Sequence, residues 1–140
     1  MFKQEKDWTP ELRHEVRNGK GDVTFNHIYA KGTELNPNMR LFAKLVLEPG
    51  CSIGWHVHEN EDEIYYILSG HGKLQLDEKI VDVAGNQVIF IPAGCFHALD
   101  NRESDEDLCI LTFWRDWRFN DAYEERIRQW GTSFKTIDEE

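Results

Sequence analysis

Apolar residues along this chain fall into short runs, and most of the runs predict strands. The series begins at residues 23–29. In residues 40–48, Leu41, Phe42, Ala43, Leu45, Val46 and Leu47 are apolar on both faces, which predicts a strand covered on both sides. Residues 64–68, 73–76, 80–83, 88–91 and 108–114 continue the pattern, separated by Gly, Asp, Asn and Pro. Many short strands with almost no helix between them predict an all-β antiparallel barrel or sandwich. Residues 1 to about 20 are polar and carry no clean alternation, so they read as an irregular arm packed on the barrel or on a second subunit.

One segment departs from the strand period. Tyr123, Ile127 and Trp130 recur at helical spacing, Asn120 can cap, Asp121, Glu124 and Glu125 occupy the first turn, and Gly131 can stop the element. A short C-terminal helix is therefore expected, with its stripe docked on the barrel's outer face or on a partner. The resulting division is an arm over 1–22, a barrel over 23–118, and a helix with tail over 119–140.

Length and charge narrow the field. The 140 residues suit one domain with a real core. Acids outnumber Lys plus Arg by 26 to 16, for a net charge of -10, which argues against nucleic acid or an anionic membrane as partner. No apolar run reaches spanning length and the first residues lack the apolar core of a signal peptide, so a cytoplasmic protein is expected. Cys51, Cys95 and Cys109 form no Cys-x-x-Cys pair and suggest neither a disulfide framework nor a thiolate zinc site. Cys95, two residues before His97, reads as a small apolar residue in a turn.

The chemistry concentrates between Gly50 and His97. His56 and His58 are two apart, so an extended strand points both rings to one face. The acid-rich stretch 59–63 reads as a solvated turn, after which Glu63 opens a return strand that carries its carboxylate back towards the rings. With His97 downstream, three imidazoles and one carboxylate can converge on a single divalent ion. Nitrogen and oxygen donors together favour first-row transition metals (Mn, Fe, Zn, Ni or Co) over calcium or magnesium. Four protein ligands leave positions open for a small molecule.

Around this set, Tyr65 shares Glu63's face and is the candidate catalytic residue, as hydrogen-bond donor or proton carrier. Gly54 is read as keeping a cavity wall low, and Trp55 as core. Arg40 and Lys44 are candidates for holding a substrate carboxylate if their face is interior. His14, His27 and His71 receive no role, and the absence of a Gly-x-Ser-x-Gly elbow disfavours Ser-His-Asp catalysis.

The spacing of Gly50, His56, His58, Glu63 and Gly70 resembles the first motif of the cupin superfamily. Gly85, Pro92, Gly94, His97 and Asn101 resemble its second, with one departure: six residues separate Gly85 from Pro92 where the family has five. The resemblance implies a jelly roll with one metal held by His56, His58, Glu63 and His97. It also implies a metalloenzyme acting on a small polar or carboxylate metabolite, among dioxygenases, decarboxylases, lyases and sugar isomerases. Small chains of this build are often similar to oxalate decarboxylase. A non-catalytic metal- or metabolite-binding module is the alternative. Sheet edges and aromatic-rich segments such as 114–119 lead to the expectation of a homodimer.

Overall fold

A computed structural model describes residues 1–116, so the helix expected over 120–131 and the tail after it lie outside the described residues. Among the described residues there are ten strands: β1 (Thr9–His14), β2 (Asp22–Tyr29), β3 (Met39–Leu47), β4 (Ser52–His56), β5 (Glu61–Ser69), β6 (His71–Leu76), β7 (Lys79–Ala84), β8 (Val88–Ile91), β9 (His97–Asp100) and β10 (Leu108–Asp116). They form a six-stranded sheet, β1-β2-β3-β10-β5-β8, and a four-stranded sheet, β4-β9-β6-β7. Every pairing is antiparallel.

The core lies between the two sheets, because alternate side chains of each strand turn inward. Leu41, Ala43, Leu45 and Leu47 of β3 and Leu108 and Ile110 of β10 meet Ile53, Leu74, Val83 and Leu99 of the smaller sheet. The expectation that β3 is covered on both faces holds in part. Its odd-numbered residues from Leu41 are buried, while Phe42, Lys44 and Val46 are half-buried on the other face. Phe42 lies there between Tyr29 and Phe113. Lys44 is therefore turned from the interior and is no candidate for a substrate anchor.

The N-terminal stretch is more ordered than expected. It supplies β1, paired with β2 from Thr9↔His27 to His14↔Asp22. As an edge strand with exposed residues on both faces it shows no apolar alternation, and Pro10 is tolerated because such a strand need not donate on its outer side.

The extra residue between Gly85 and Pro92 causes no slip in β8, which pairs with β5 in unbroken register from Glu63↔Ile91 to Tyr66↔Val88. It is taken up in the preceding turn, where Asn86 adopts φ 70° and its N–H donates to the Ile67 carbonyl at 2.7 Å. Asn tolerates that left-handed conformation better than most residues.

Candidate metal centre

Three strands and one turn assemble the site. β4 delivers His56 at its last residue, opposite His97 at the start of β9, so the two imidazoles are set by backbone pairing. His58 lies two residues past β4, and β5 then returns Glu63. The Gly94 N–H donates to the His58 carbonyl at 2.8 Å, tying the Pro92–His97 turn to the first histidine pair. Within this frame the ligand atoms of His56, His58, Glu63 and His97 all lie within 4.8 Å of one another. His58, Glu63 and His97 are buried and His56 is partly so.

Hydrogen bonding decides which atom each residue offers. His56 Nδ1 lies 2.7 Å from the Gly54 carbonyl and His97 Nδ1 lies 3.0 Å from the Cys95 carbonyl. A carbonyl accepts only, so each Nδ1 carries a hydrogen, and in the neutral form of either ring Nε2 presents a lone pair to the centre. His97 Nε2 stands 2.9 Å from Glu63 Oε1, and His58 Nε2 stands 3.7 Å from the same oxygen. Donor atoms about 2.1 Å from one ion and at right angles would be separated by about 3.0 Å. His58 Nε2 is buried and has no hydrogen-bond partner. An orphaned nitrogen facing a carboxylate oxygen and two further lone pairs fits a divalent cation.

Glu63 is oriented by its second oxygen. Oε2 accepts from Thr112 Oγ1 at 2.9 Å and from the Trp114 indole Nε1, which leaves Oε1 for the histidines. Thr112 and Trp114 were not singled out from the sequence. The available signal was a polar residue, Thr112, at an inward position of an otherwise apolar series.

The electrostatics follow from burial. Desolvation, reinforced by repulsion from His97, lowers His56 to about 4, well below its ordinary 6.5. Burial also lowers His58, against the attraction of Glu63. For Glu63, burial pushes upward, but the His97 hydrogen bond and the charges of His97 and His58 outweigh it and leave the carboxyl below its usual value. Neutral rings beside an ionised carboxylate are the forms that coordinate metal.

The remaining candidates separate clearly. Tyr65 is buried on Glu63's face; burial, then the Glu63 charge and a hydrogen bond to it, raise the phenol well above its usual range, so it keeps its proton. Trp55 is not core: it is 48% exposed and stacks on Phe96 with ring centroids 5.6 Å apart. Gly54 does not lower a cavity wall. A Cβ there would collide with the Arg17 carbonyl, so the glycine permits the 15–19 loop to lie against β4. Glu61 and Asp62 are half-buried strand residues rather than solvated turn, and Asp62 Oδ1 accepts from the Ala93 N–H at 2.9 Å. The three cysteines are free, and Cys95 acts through its carbonyl.

Comparison with known proteins agrees with this geometry. A family model described as a cupin domain matches residues 43–114. The chain is 40% identical over 101 residues to an oxalate-binding protein of Thermotoga maritima, covering 72% of this chain and 83% of that one. A solved structure described as a predicted oxalate decarboxylase from the same organism is similar at TM-score 0.77 and 35% identity, over 83% of this chain and 99% of that one. A cupin 2 conserved barrel domain protein from Salinispora arenicola, at TM-score 0.64 and 21% identity, shares the fold over 90% of this chain and 96% of its own.

Proposed function

Because the chain belongs to the cupin family, we propose that it is a mononuclear metalloenzyme acting on a small polar or carboxylate metabolite, with His56, His58, Glu63 and His97 as ligands. The observation that carries this reading is the convergence of three imidazoles and the Glu63 carboxylate, their ligand atoms within 4.8 Å of one another, with His58 Nε2 left without a hydrogen-bond partner. A divalent transition ion (Mn, Fe, Zn, Ni or Co) would supply Lewis acidity to an oxygen of the bound molecule. The protein's own part is to hold neutral imidazoles by their Nδ1–H bonds, to fix Glu63 through Thr112, Trp114 and Tyr65, and to exclude bulk water. Tyr65 stays protonated and donates towards the carboxylate side of the site.

Elemental analysis of gently purified protein tests the reading. Wild type should carry about one ion per chain, and His58→Ala should lose it while keeping its β-sheet circular dichroism. Equal metal content in both proteins, or none in either, refutes the site.

The second reading, a binding module without turnover, is favoured by the name of the Thermotoga relative, an oxalate-binding protein. Metal-loaded protein incubated with oxalate separates the two: consumption of oxalate supports enzymatic use, and saturable binding with full recovery supports the module. In either case we place the protein in the cytoplasm as a homodimer binding a small molecule, on the chain's acidic charge and its exposed apolar strand faces. Among the described residues no helix is long and apolar enough to cross a membrane.

A further inference from the structure

One strand repeat beyond the metal ligands, the same interior face carries polar atoms that the metal reading does not use. Trp114 opposes Glu63 across β10 and β5, and Asp116 opposes Glu61 two residues further on. Two residues along a strand is about 6.7 Å. At this level β3 and β10 lose register: Leu41 pairs with Trp114 but Met39 pairs with Arg115, so Arg40 is the extra residue of a bulge. Such bulges re-aim a side chain.

The consequence shows in the atoms. Among the described residues, Arg40 Nε is buried with no hydrogen-bond partner, and so are Glu61 Oε2 and Asn38 Oδ1. All three belong to one end of the barrel. The Asn38 carbonyl accepts from the Asp116 N–H at 2.7 Å, and Glu61 lies within electrostatic reach of Arg40, Lys31, Asp116 and Glu63. Arg40 and Glu61 are thus close enough to feel each other yet form no ion pair. One buried donor and two buried acceptors are left without hydrogen-bond partners among the described residues, an arrangement that a folded protein avoids unless something else supplies them.

We propose that Arg40, Glu61 and Asn38 form a hydroxyl-recognition subsite above the metal centre, so that the ligand is a polyhydroxylated carboxylate, a sugar acid, held by its carboxylate end at the metal and by its remote hydroxyls at Arg40 and Glu61. This rests on the metal reading above. A hydroxyl is the group that satisfies the count, since it accepts from Arg40 Nε and donates to Glu61 Oε2 or Asn38 Oδ1. A second carboxylate in that place would meet Glu61 and Asp116 as like charges as well as the Arg40 and Lys31 cations, whereas a hydroxyl is served by donor and acceptor alike. A chain of five or six carbons reaches from the ion to this level, and oxalate does not.

The test compares gluconate with 2-hydroxyhexanoate on Mn²⁺-loaded protein by isothermal titration. Both carry the same chelating carboxylate and 2-hydroxyl, and they differ in the remote hydroxyls. Gluconate should bind at least about tenfold tighter, the worth of one or two hydrogen bonds to buried charged groups. Arg40→Met should abolish that preference while leaving Mn²⁺ uptake and 2-hydroxyhexanoate affinity unchanged. Equal affinities in the wild type overturn the inference without any variant, and mean that water fills the unpartnered positions. Retention of the preference in Arg40→Met overturns the assignment to Arg40. Failure to take up Mn²⁺ overturns the metal reading and this inference together, whereas uptake without preference overturns this inference alone.

Discussion

A carboxylate has two oxygens, and at Glu63 the neighbours decide which one the histidines meet. Thr112 and Trp114 occupy Oε2, so removing either donor frees the group to rotate. Thr112→Val should keep the fold and weaken Mn²⁺ affinity by about 10- to 100-fold, read by competition with a chelating dye. Acid acts at the same residues. His56 titrates near 4 in the folded chain and near 6.5 when unfolded, so between those values the unfolded state binds more protons and stability falls as pH falls. His58 shifts in the same direction, and the lowered Glu63 extends the loss below its ordinary 4.5. Metal-free protein should therefore melt at progressively lower temperature from pH 6.5 to 4. Metal release on acidification should have its midpoint below 6.5, and a midpoint at or above that value contradicts the lowered imidazoles. Of the candidate ligands, His56, His58 and Glu63 were legible in the sequence because strand period and turn chemistry place them locally, and His97, 34 residues from Glu63, because of its place in the second cupin motif. Thr112 and Trp114 lie 49 and 51 residues from Glu63, and only the β10–β5 register brings them to it.

At the level of elements, β4 depends on the loop before β2. Glu15, Arg17 and Asn18 all adopt positive φ, and the loop lies against the strand with Ser52 N–H donating to the Lys20 carbonyl at 2.9 Å and Lys20 N–H donating to Ser52 Oγ at 2.9 Å. Gly19 and Gly54 allow the contact, since a Cβ on either would collide with backbone across it. Gly54→Ala should cost about 1–3 kcal/mol by overpacking. Because the Gly54 carbonyl also holds His56 Nδ1, it should weaken metal binding as well. Thermal melts with and without Mn²⁺ check both effects, and an unchanged wild-type profile would show that the loop yields freely. The strands with apolar alternation were readable beforehand, as was the Val88–Ile91 element whose extra upstream residue went into a turn. Trp55 misled because an aromatic in a strand reads as core, whereas its stacking partner Phe96 comes from a distant turn on the outside of the sheet. β1 was illegible for the opposite reason, having almost no apolar face to show.

For the molecule as a whole, the outer face of β5 and β8 carries Ile64, Tyr66, Leu68, Val88 and Phe90, all exposed, at the free edge of the larger sheet. Such a contiguous apolar face beside an unpaired edge suits self-association. Light scattering at micromolar concentration should report a dimer, and Phe90→Glu should shift it to monomer; a monomeric wild type removes the expectation. The likeness to relatives spans nearly the whole of the Thermotoga structure, so this face is a feature on which members of the family can be compared directly. The candidate ligands, finally, are shared between layers: His56 and His97 belong to the smaller sheet and Glu63 to the larger. An ion seated there is a rivet through both walls, and its removal should be felt mechanically before it is felt chemically. Amide protons of β4 and β9 should then exchange faster with solvent after chelation, while those of β3 and β10, clamped in the middle of the six-stranded wall, keep their protection.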